Sequence, residues 1–366
     1  MKHKHFLNFL ITFLTVCMII SSCRPKEKVK DAAAFPYDSF EIMRGTNIAH
    51  WLSQSQRRGP ERERFFTGKD IIFVDSCGFD HIRLPIDEEQ MWDESGKRNE
   101  EAFILLKNCL DWSQKAGLRV IIDLHILRSH HFNEDVKPLW TEPAEQDQFI
   151  ALWKDLSEFI HDRPLAMVAY EPMNEPVADD PEEWNVLLSR VVDSLRKWEP
   201  ARVIVIGSNR WQSASTFDEL RIPANDSNIV LSYHFYEPFF LTHYQASWTD
   251  LKDFKGEVNY PGKIVLNSNL PEHLRVYTRD TLVKMMEKPI RVAKRLNLPL
   301  YCGEFGIFRD FFPAAKLAWY KDMISIFEEH GIAYANWNYK SGAFGIVDDQ
   351  GKFLQPYLDI VAGKFK

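Results

Sequence analysis

Two glutamates each stand where an apolar run gives way to polar sequence: Glu175 closes Met167 to Pro176, and Glu304 closes Leu298 to Gly306. Short apolar runs of this kind read as buried strands, and a carboxyl at the end of a strand is carried on rigid backbone. Two such carboxyls suit a division of labour in which one gives and takes a proton while the other attacks. That chemistry needs both groups at a fixed separation, so the remaining sequence has to supply a scaffold.

The scaffold is legible as an alternation. Ile82 to Leu84, Val120 to Leu124, Val203 to Ile206 and Ile229 to Tyr233 are apolar runs rich in β-branched residues and without polar alternation, as in strands buried on both faces of a parallel sheet. Between them lie amphipathic helices. Phe149, Leu152, Trp153, Leu156, Phe159 and Ile160 form one stripe at helical spacing, and Trp184, Leu187, Leu188, Val191, Val192 and Leu195 form another. The second has Asp180 as its cap, Pro181 at its first position, and Glu182 and Glu183 at the positive end of its dipole. Gly78, Gly117 and Gly331 each separate a helix from the next strand, the position of a left-handed cap. Counting from Ile42 to Asn47, eight strand candidates emerge, which predicts a (β/α)8 TIM barrel in one catalytic domain with its active residues at the C-terminal strand ends. A doubly wound open sheet is the competitor, but the first strand carries no Gly-rich phosphate loop.

Those strand ends collect Asn47, Arg83, His125, Asn174 with Glu175, Asn209, His234 with Tyr236, Glu304 and Trp337. Any one of them has a bland explanation as an ion pair, a satisfied hydrogen-bonder or a core aromatic. Their convergence on one rim points to a site. The motifs Ile82-Arg83-Leu84-Pro85, Asp123-Leu124-His125, Asn174-Glu175-Pro176, His234-Phe235-Tyr236, Gly303-Glu304-Phe305-Gly306 and Asn336-Trp337 resemble, in order, the strand-end motifs of glycoside hydrolase family 5, the cellulase-like retaining glycosidases. The likeness runs from about Arg44 to Gly345. It implies a TIM barrel, hydrolysis of β-linked glycans with retention, and neither a metal nor an organic cofactor. It also implies Glu175 as acid/base, Glu304 as nucleophile, Arg83 keeping Glu304 ionised, and Tyr236 donating a hydrogen bond to it. Asn174 would bind the sugar 2-hydroxyl, His125 and His234 would hold hydroxyls or carboxyls near the cleaved bond, and Trp337 would lie under the sugar.

Other residues are candidates by position. His50 and Trp51 follow the first strand and Asn209 and Trp211 the fifth; each could line the cleft or pack a loop. Asp123, His125, His130 and His131 invite a metal site, against which Asp123 is expected on a different strand face from His125; sugar hydrogen bonding by His130 or His131 fits better. Glu237 to about Asp280 is the longest insertion, and its aromatics Phe239, Phe240, His243, Tyr244, Trp248, Tyr260 and Tyr277 suit either a glycan groove or a small core of their own.

The N-terminus has a separate message. A basic start, an apolar stretch Phe6 to Ile20 and the lipobox-like Ile20-Ser21-Ser22-Cys23 predict a lipoprotein signal over residues 1–22, acylation of Cys23, a flexible tether over 23–35 and the hydrolase domain over 36–366. A membrane anchored through that lipid is thus an expected partner, with the protein on the periplasmic face or the cell surface. The formal charge of -7 is interspersed, which argues against a nucleic-acid or anionic-lipid surface and favours a neutral substrate. Cys77, Cys109 and Cys302 lie in apolar contexts and read as buried thiols. The substrate expected is a β-1,4-glucan cut internally by a monomer. β-Mannanase, xyloglucanase and exo-β-glucosidase stand as alternatives within the family, and a non-catalytic glycan binder or a metal-dependent hydrolase outside it.

Overall fold

The computed structural model describes residues 39–264, 276–348 and 350–364. The expected signal, the Cys23 anchor and the tether lie outside the described residues. No helix among the described residues is long and apolar enough to cross a membrane.

Eight parallel strands close into a barrel: β1 Arg44–Asn47, β2 His81–Asp87, β3 Arg119–Ile126, β4 Val168–Glu171, β5 Ile204–Gly207, β6 Ile229–Phe235, β7 Leu300–Phe305 and β8 Ala333–Asn336. Neighbours in the chain are neighbours in the barrel, and β8 returns to β1. Helices cover the outside, including α1 Gly68–Ser76, α2 Glu100–Ala116, α3 Pro143–Ile160, α4 Pro181–Trp198, α5 Glu287–Leu296 and α6 Pro313–His330. The sequence signals for them hold. Asp180 accepts from Glu182 N and forms a capping box with Glu183, while Gly117 and Gly331 end α2 and α6 at φ of 81° and 64°. The stripe residues of α3 and α4 are buried, apart from the half-buried Phe159.

The barrel interior is layered, and the layering is what makes the site. Because side chains alternate along a strand, residues two apart share a face. Ile121, Ala169, Val205, Val230, Tyr301, Ala333 and Ala335 form an apolar plug inside the barrel. Two residues further along, the same inward face carries Asp123, Glu171, Gly207, Ser232 and Trp337, and Asp123 is followed by His125 two residues on again. Asp123 and His125 therefore share one face, contrary to the expectation from sequence, and His125 Nδ1 lies 2.7 Å from Asp123 Oδ2.

Glu304 would break this pattern if β7 ran regularly, since Tyr301 faces inward and an odd step leads outward. The β6–β7 ladder shifts register here: Tyr233 pairs with Cys302, but His234 pairs with Glu304, so Gly303 is an extra residue. A bulge exchanges the faces beyond it. Glu304 thereby points into the barrel, and Phe305 points out, packing on Trp319, Tyr320 and Phe327 of α6. Strand limits differ slightly from the sequence reading. Val203 precedes β5, and β4 stops at Glu171, leaving Glu175 four residues into the loop with φ of 46°.

Candidate active site

Arg83 sits at the centre, fully buried. Its Nε donates to Glu171 Oε2 at 2.6 Å; Nη1 donates to Glu304 Oε1 at 2.8 Å and Asn47 Oδ1 at 3.0 Å; Nη2 donates to Asn174 Oδ1 at 2.8 Å and faces Asp123 Oδ2 at 3.0 Å. A guanidinium has five N–H bonds, and five acceptors are in place. Four N–H bonds are donated to protein and Nη2 is also paired with the Asp123 carboxylate, so Arg83 acts through the groups it holds.

The two glutamates face each other. Glu175, His234 and Glu304 offer ligand atoms that all lie within 4.8 Å of one another. Glu304 Oε2 accepts from the Tyr236 hydroxyl at 2.9 Å, and Glu175 Oε1 lies 2.8 Å from His234 Nδ1. Burial pushes both carboxyls above their ordinary range. For Glu304 the Arg83 charge and the Tyr236 hydrogen bond oppose burial. For Glu175 the neighbouring Glu304 charge adds to burial, so Glu175 is held well above the usual value and is the weaker acid of the two. Arg83 thus acts on Glu304 in the direction expected from sequence, but burial outweighs it and the net shift is upward. Burial holds the Tyr236 phenol well above its usual value, which keeps it a donor, and holds His234 well below its own, which keeps it neutral.

A carboxyl that stays protonated beside one held by a cation, less than 5 Å away, is the arrangement for protonating a leaving oxygen while attacking the adjacent carbon. The model of the family Cellulase (glycosyl hydrolase family 5) matches residues 45–343, the whole of this barrel. The chain belongs to glycoside hydrolase family 5. It is a glycoside hydrolase, and among its relatives are Endoglucanase C of Acetivibrio thermocellus, 31% identical over 338 residues, spanning 87% of this chain and 97% of the relative. Cellodextrinase A of Ruminococcus flavefaciens is 28% identical over 302 residues, 80% of this chain and 84% of its own. A solved hyperthermophilic endo-β-1,4-glucanase in complex with substrate superposes with a TM-score of 0.74 at 25% identity, over 88% of this chain and 97% of that one.

The remaining candidates of this family 5 barrel divide by environment. Asn174 Nδ2 is buried without a partner while its Oδ1 is held by Arg83, which leaves a fixed amide donor beside the glutamates. Trp337 stacks on His125 at 5.3 Å and 5° and belongs to an apolar cluster with Ala49, Ala246, Phe308 and Phe344. His125 is engaged by protein at both nitrogens, Nδ1 on Asp123 and Nε2 3.3 Å from Gln54 Nε2, and burial pushes it down to about 3, so it stays neutral. Trp211 remains 44% exposed and lines a groove of about 580 Å³ with Phe132, Val177 and Arg210, just beyond Glu175.

Several candidates are structural instead. Trp51 is fully buried, packs on Phe66 and donates to Arg62 O at 2.9 Å, so it does not line the cleft. His130 Nε2 accepts from Val177 N at 3.1 Å, and Asn209 exchanges two hydrogen bonds with the Ala178 backbone; both pin loops. His131 is half-buried and accepts from Asn133 N. His50 has φ of 60°, and a Cβ on Gly342 would stand 2.7 Å from its Nε2, placing it at the β1 rim. The histidine cluster is thus divided among separate hydrogen-bonding duties. Among the described residues, the trio with ligand atoms in reach of one ion is Glu175, His234 and Glu304, and there Arg83 already supplies the positive charge. In the long insertion, Tyr244, Tyr260 and Tyr277 are buried, Tyr244 against Phe254, Phe311 and Phe312 and Tyr260 bonded to Asp322, while Phe239 and Trp248 stay exposed.

Sequence reasoning missed Gln54, Glu171 and Gln212. For Glu171 a signal existed: it lies two residues from the inward Ala169, so the alternation that carries the core also carries a carboxyl into it. The other two come from loops with left-handed backbone, Gln54 at φ of 50° and Gln212 at 51°, where no period applies.

Proposed function

We propose that this enzyme hydrolyses internal β-1,4 bonds of a glucan with retention, Glu175 acting as acid/base and Glu304 as nucleophile. The observation that carries the reading is the closeness of the two carboxyls, an oxygen of one lying within 4.8 Å of an oxygen of the other. That matches the short spacing of direct attack, about 5–5.5 Å, better than the roughly 6.5–9.5 Å at which an inverting enzyme accommodates a water. Glu304 Oε2 bonds to the anomeric carbon as the glycosidic C–O bond breaks, and the Glu175 proton goes to the departing oxygen. Glu175, now a carboxylate, takes a proton from water. The resulting hydroxide character attacks the anomeric carbon and releases Glu304. Tyr236 orients Glu304 throughout, the free Asn174 amide meets the 2-hydroxyl as positive charge develops on the ring, and the Trp337 face packs on the sugar C–H bonds.

The names of the relatives favour β-1,4-glucan. Reducing-sugar release from barley glucan, carboxymethylcellulose, mannan and xyloglucan decides it: the first two should be cut, with viscosity falling early. Release from mannan or xyloglucan alone would move the substrate, and loss of single glucose units without a viscosity drop would make the enzyme exo-acting.

The active form needs Glu304 ionised and Glu175 protonated. Activity therefore rises with pH as Glu304 loses its proton and falls as Glu175 loses its own. Since both groups are raised and Glu175 the more so, kcat/KM should trace a bell whose acid limb lies above the ordinary carboxylate range. Glu175→Gln should remove the alkaline limb. An acid limb at or below the value of a free glutamate would contradict the assignment.

A further inference from the structure

Residues 209–212, which follow β5, hold an uncommon backbone. Arg210, Trp211 and Gln212 have φ of 56°, 60° and 51°. Left-handed conformation in side-chain-bearing residues is costly and persists only where surrounding contacts over-determine it. Here most of the contacts go to one neighbour, the loop that carries Glu175, while Trp211 Nε1 also donates to Phe132 O at 3.2 Å. Asn209 Oδ1 accepts from Ala178 N at 2.9 Å and its Nδ2 donates to Ala178 O at 3.0 Å; Trp211 N donates to Pro176 O at 3.3 Å; Arg210 Nη2 donates to Asp179 O at 3.0 Å. The innermost contact is made by Gln212, fully buried, whose Oε1 accepts from Glu175 N at 3.0 Å and whose Nε2 donates to Glu171 Oε1 at 3.1 Å. β5 ends on Gly207 for the same reason: a Cβ there would stand 2.4 Å from Gln212 Nε2.

The geometry points to Gln212 as a positioning residue for the acid/base glutamate, a role that rests on the assignment of Glu175 made above. Gln212 touches no reacting atom. It fixes the peptide from which the Glu175 side chain starts, a peptide that itself sits in the left-handed region at φ of 46°. Its other end leads on through the core. Glu171 Oε2 accepts from Arg83 Nε at 2.6 Å, and Arg83 Nη1 donates to Glu304 Oε1 at 2.8 Å. One unbroken line of hydrogen bonds therefore runs from the Glu175 backbone through Gln212, Glu171 and Arg83 to Glu304. It sets the separation on which the two-step chemistry depends, and a misplacement of about 1 Å in such a constellation costs on the order of 10²-fold in rate.

Gln212→Met keeps the volume and removes both hydrogen bonds. Wild type and variant are compared on cellohexaose, whose leaving group needs a proton, and on 2,4-dinitrophenyl β-cellobioside, whose leaving group does not. For the variant, kcat/KM on cellohexaose should fall on the order of 10²-fold, while kcat/KM on the aryl glycoside falls less than about threefold. Its lowered kcat on the aryl glycoside should recover with azide, which attacks the glycosyl intermediate without a base. Equal losses on both substrates would make Gln212 merely structural, and no loss on cellohexaose would overturn the role. A wild type that cuts neither substrate would instead overturn the functional reading. Should Gln212→Met not fold, Gln212→Glu decides. It retains an acceptor for Glu175 N but sets a carboxyl against Glu171, in a cluster that also holds Asp123, Glu175, Glu304, Arg83 and His234. The added carboxyl raises its neighbours as Glu304 raises Glu175, so the alkaline loss of cellohexaose cleavage should move to higher pH than in wild type, and a superimposable profile would overturn the proposal.

Discussion

Glu304→Ala is expected to abolish hydrolysis of every substrate, whatever its leaving group, by on the order of 10⁴-fold or more in kcat/KM. The reason is that a nucleophile is needed in both steps, and the neighbours of Glu304 do not replace it: Glu175 holds the proton, His234 is bonded to Glu175, and burial keeps the Tyr236 phenol protonated. Glu175→Ala should behave differently. It should lose cellohexaose cleavage on the order of 10²–10⁴-fold while kcat/KM on 2,4-dinitrophenyl β-cellobioside survives, since that leaving group departs unprotonated. Side-by-side kinetics of the two variants on the two substrates separate the roles. Unchanged hydrolysis by Glu304→Ala would sink the nucleophile assignment. A wild type that binds cello-oligosaccharides but never turns over would make the barrel a binding protein.

The largest expected effect on stability comes from Arg83→Met. Its guanidinium is the one cation among the buried carboxyls Asp123, Glu171, Glu175 and Glu304, and it bonds three of them directly. Removing one member of a buried ion cluster costs about 3–5 kcal/mol because the partners are left charged and dry. In a domain of this size that lowers Tm by roughly 4–7 °C, measured by calorimetry. The deficit should depend on pH in a definite direction. Carboxyls already raised in the fold, Asp123 to about 7 and Glu171 upward, rise further without the cation. A carboxyl whose folded pKa exceeds its unfolded one costs stability above the folded value and nothing below the unfolded one. The deficit should therefore shrink as the pH falls from the alkaline side toward about 7, where Asp123 is protonated in both proteins. A deficit that is flat or grows on acidification would show that the cluster is not held by charge.

Much of this was legible in the sequence. The eight strands, their helices and glycine caps follow from period and punctuation, and Arg83, Tyr236 and the two glutamates follow from their places at strand ends. What the sequence concealed has physical causes. The inward aim of Glu304 depends on one extra residue at Gly303, which apolar patterning does not reveal because both faces of a barrel strand are buried. Trp51 and His130 were plausible cleft residues by position, yet each has its polar atom satisfied by a backbone partner, Arg62 O and Val177 N, that only the folded loops bring near. Gln212 carries no local signal, since its partners lie 37 and 41 residues away in the chain. Asp123 was misjudged despite a rule that covers it: two residues from His125 on a strand, it must share its face.

Cys77, Cys109 and Cys302 are all buried free thiols. Burial pushes Cys109 up to about 12 and raises the other two, so at neutral pH none is a thiolate able to exchange. The described barrel consequently gains nothing from an oxidant and loses nothing to a reductant. Its shape is set by packing, hydrogen bonds and buried ion pairs, which uncouples the described barrel's stability from the thiol–disulfide potential of the medium in which it meets its glycan.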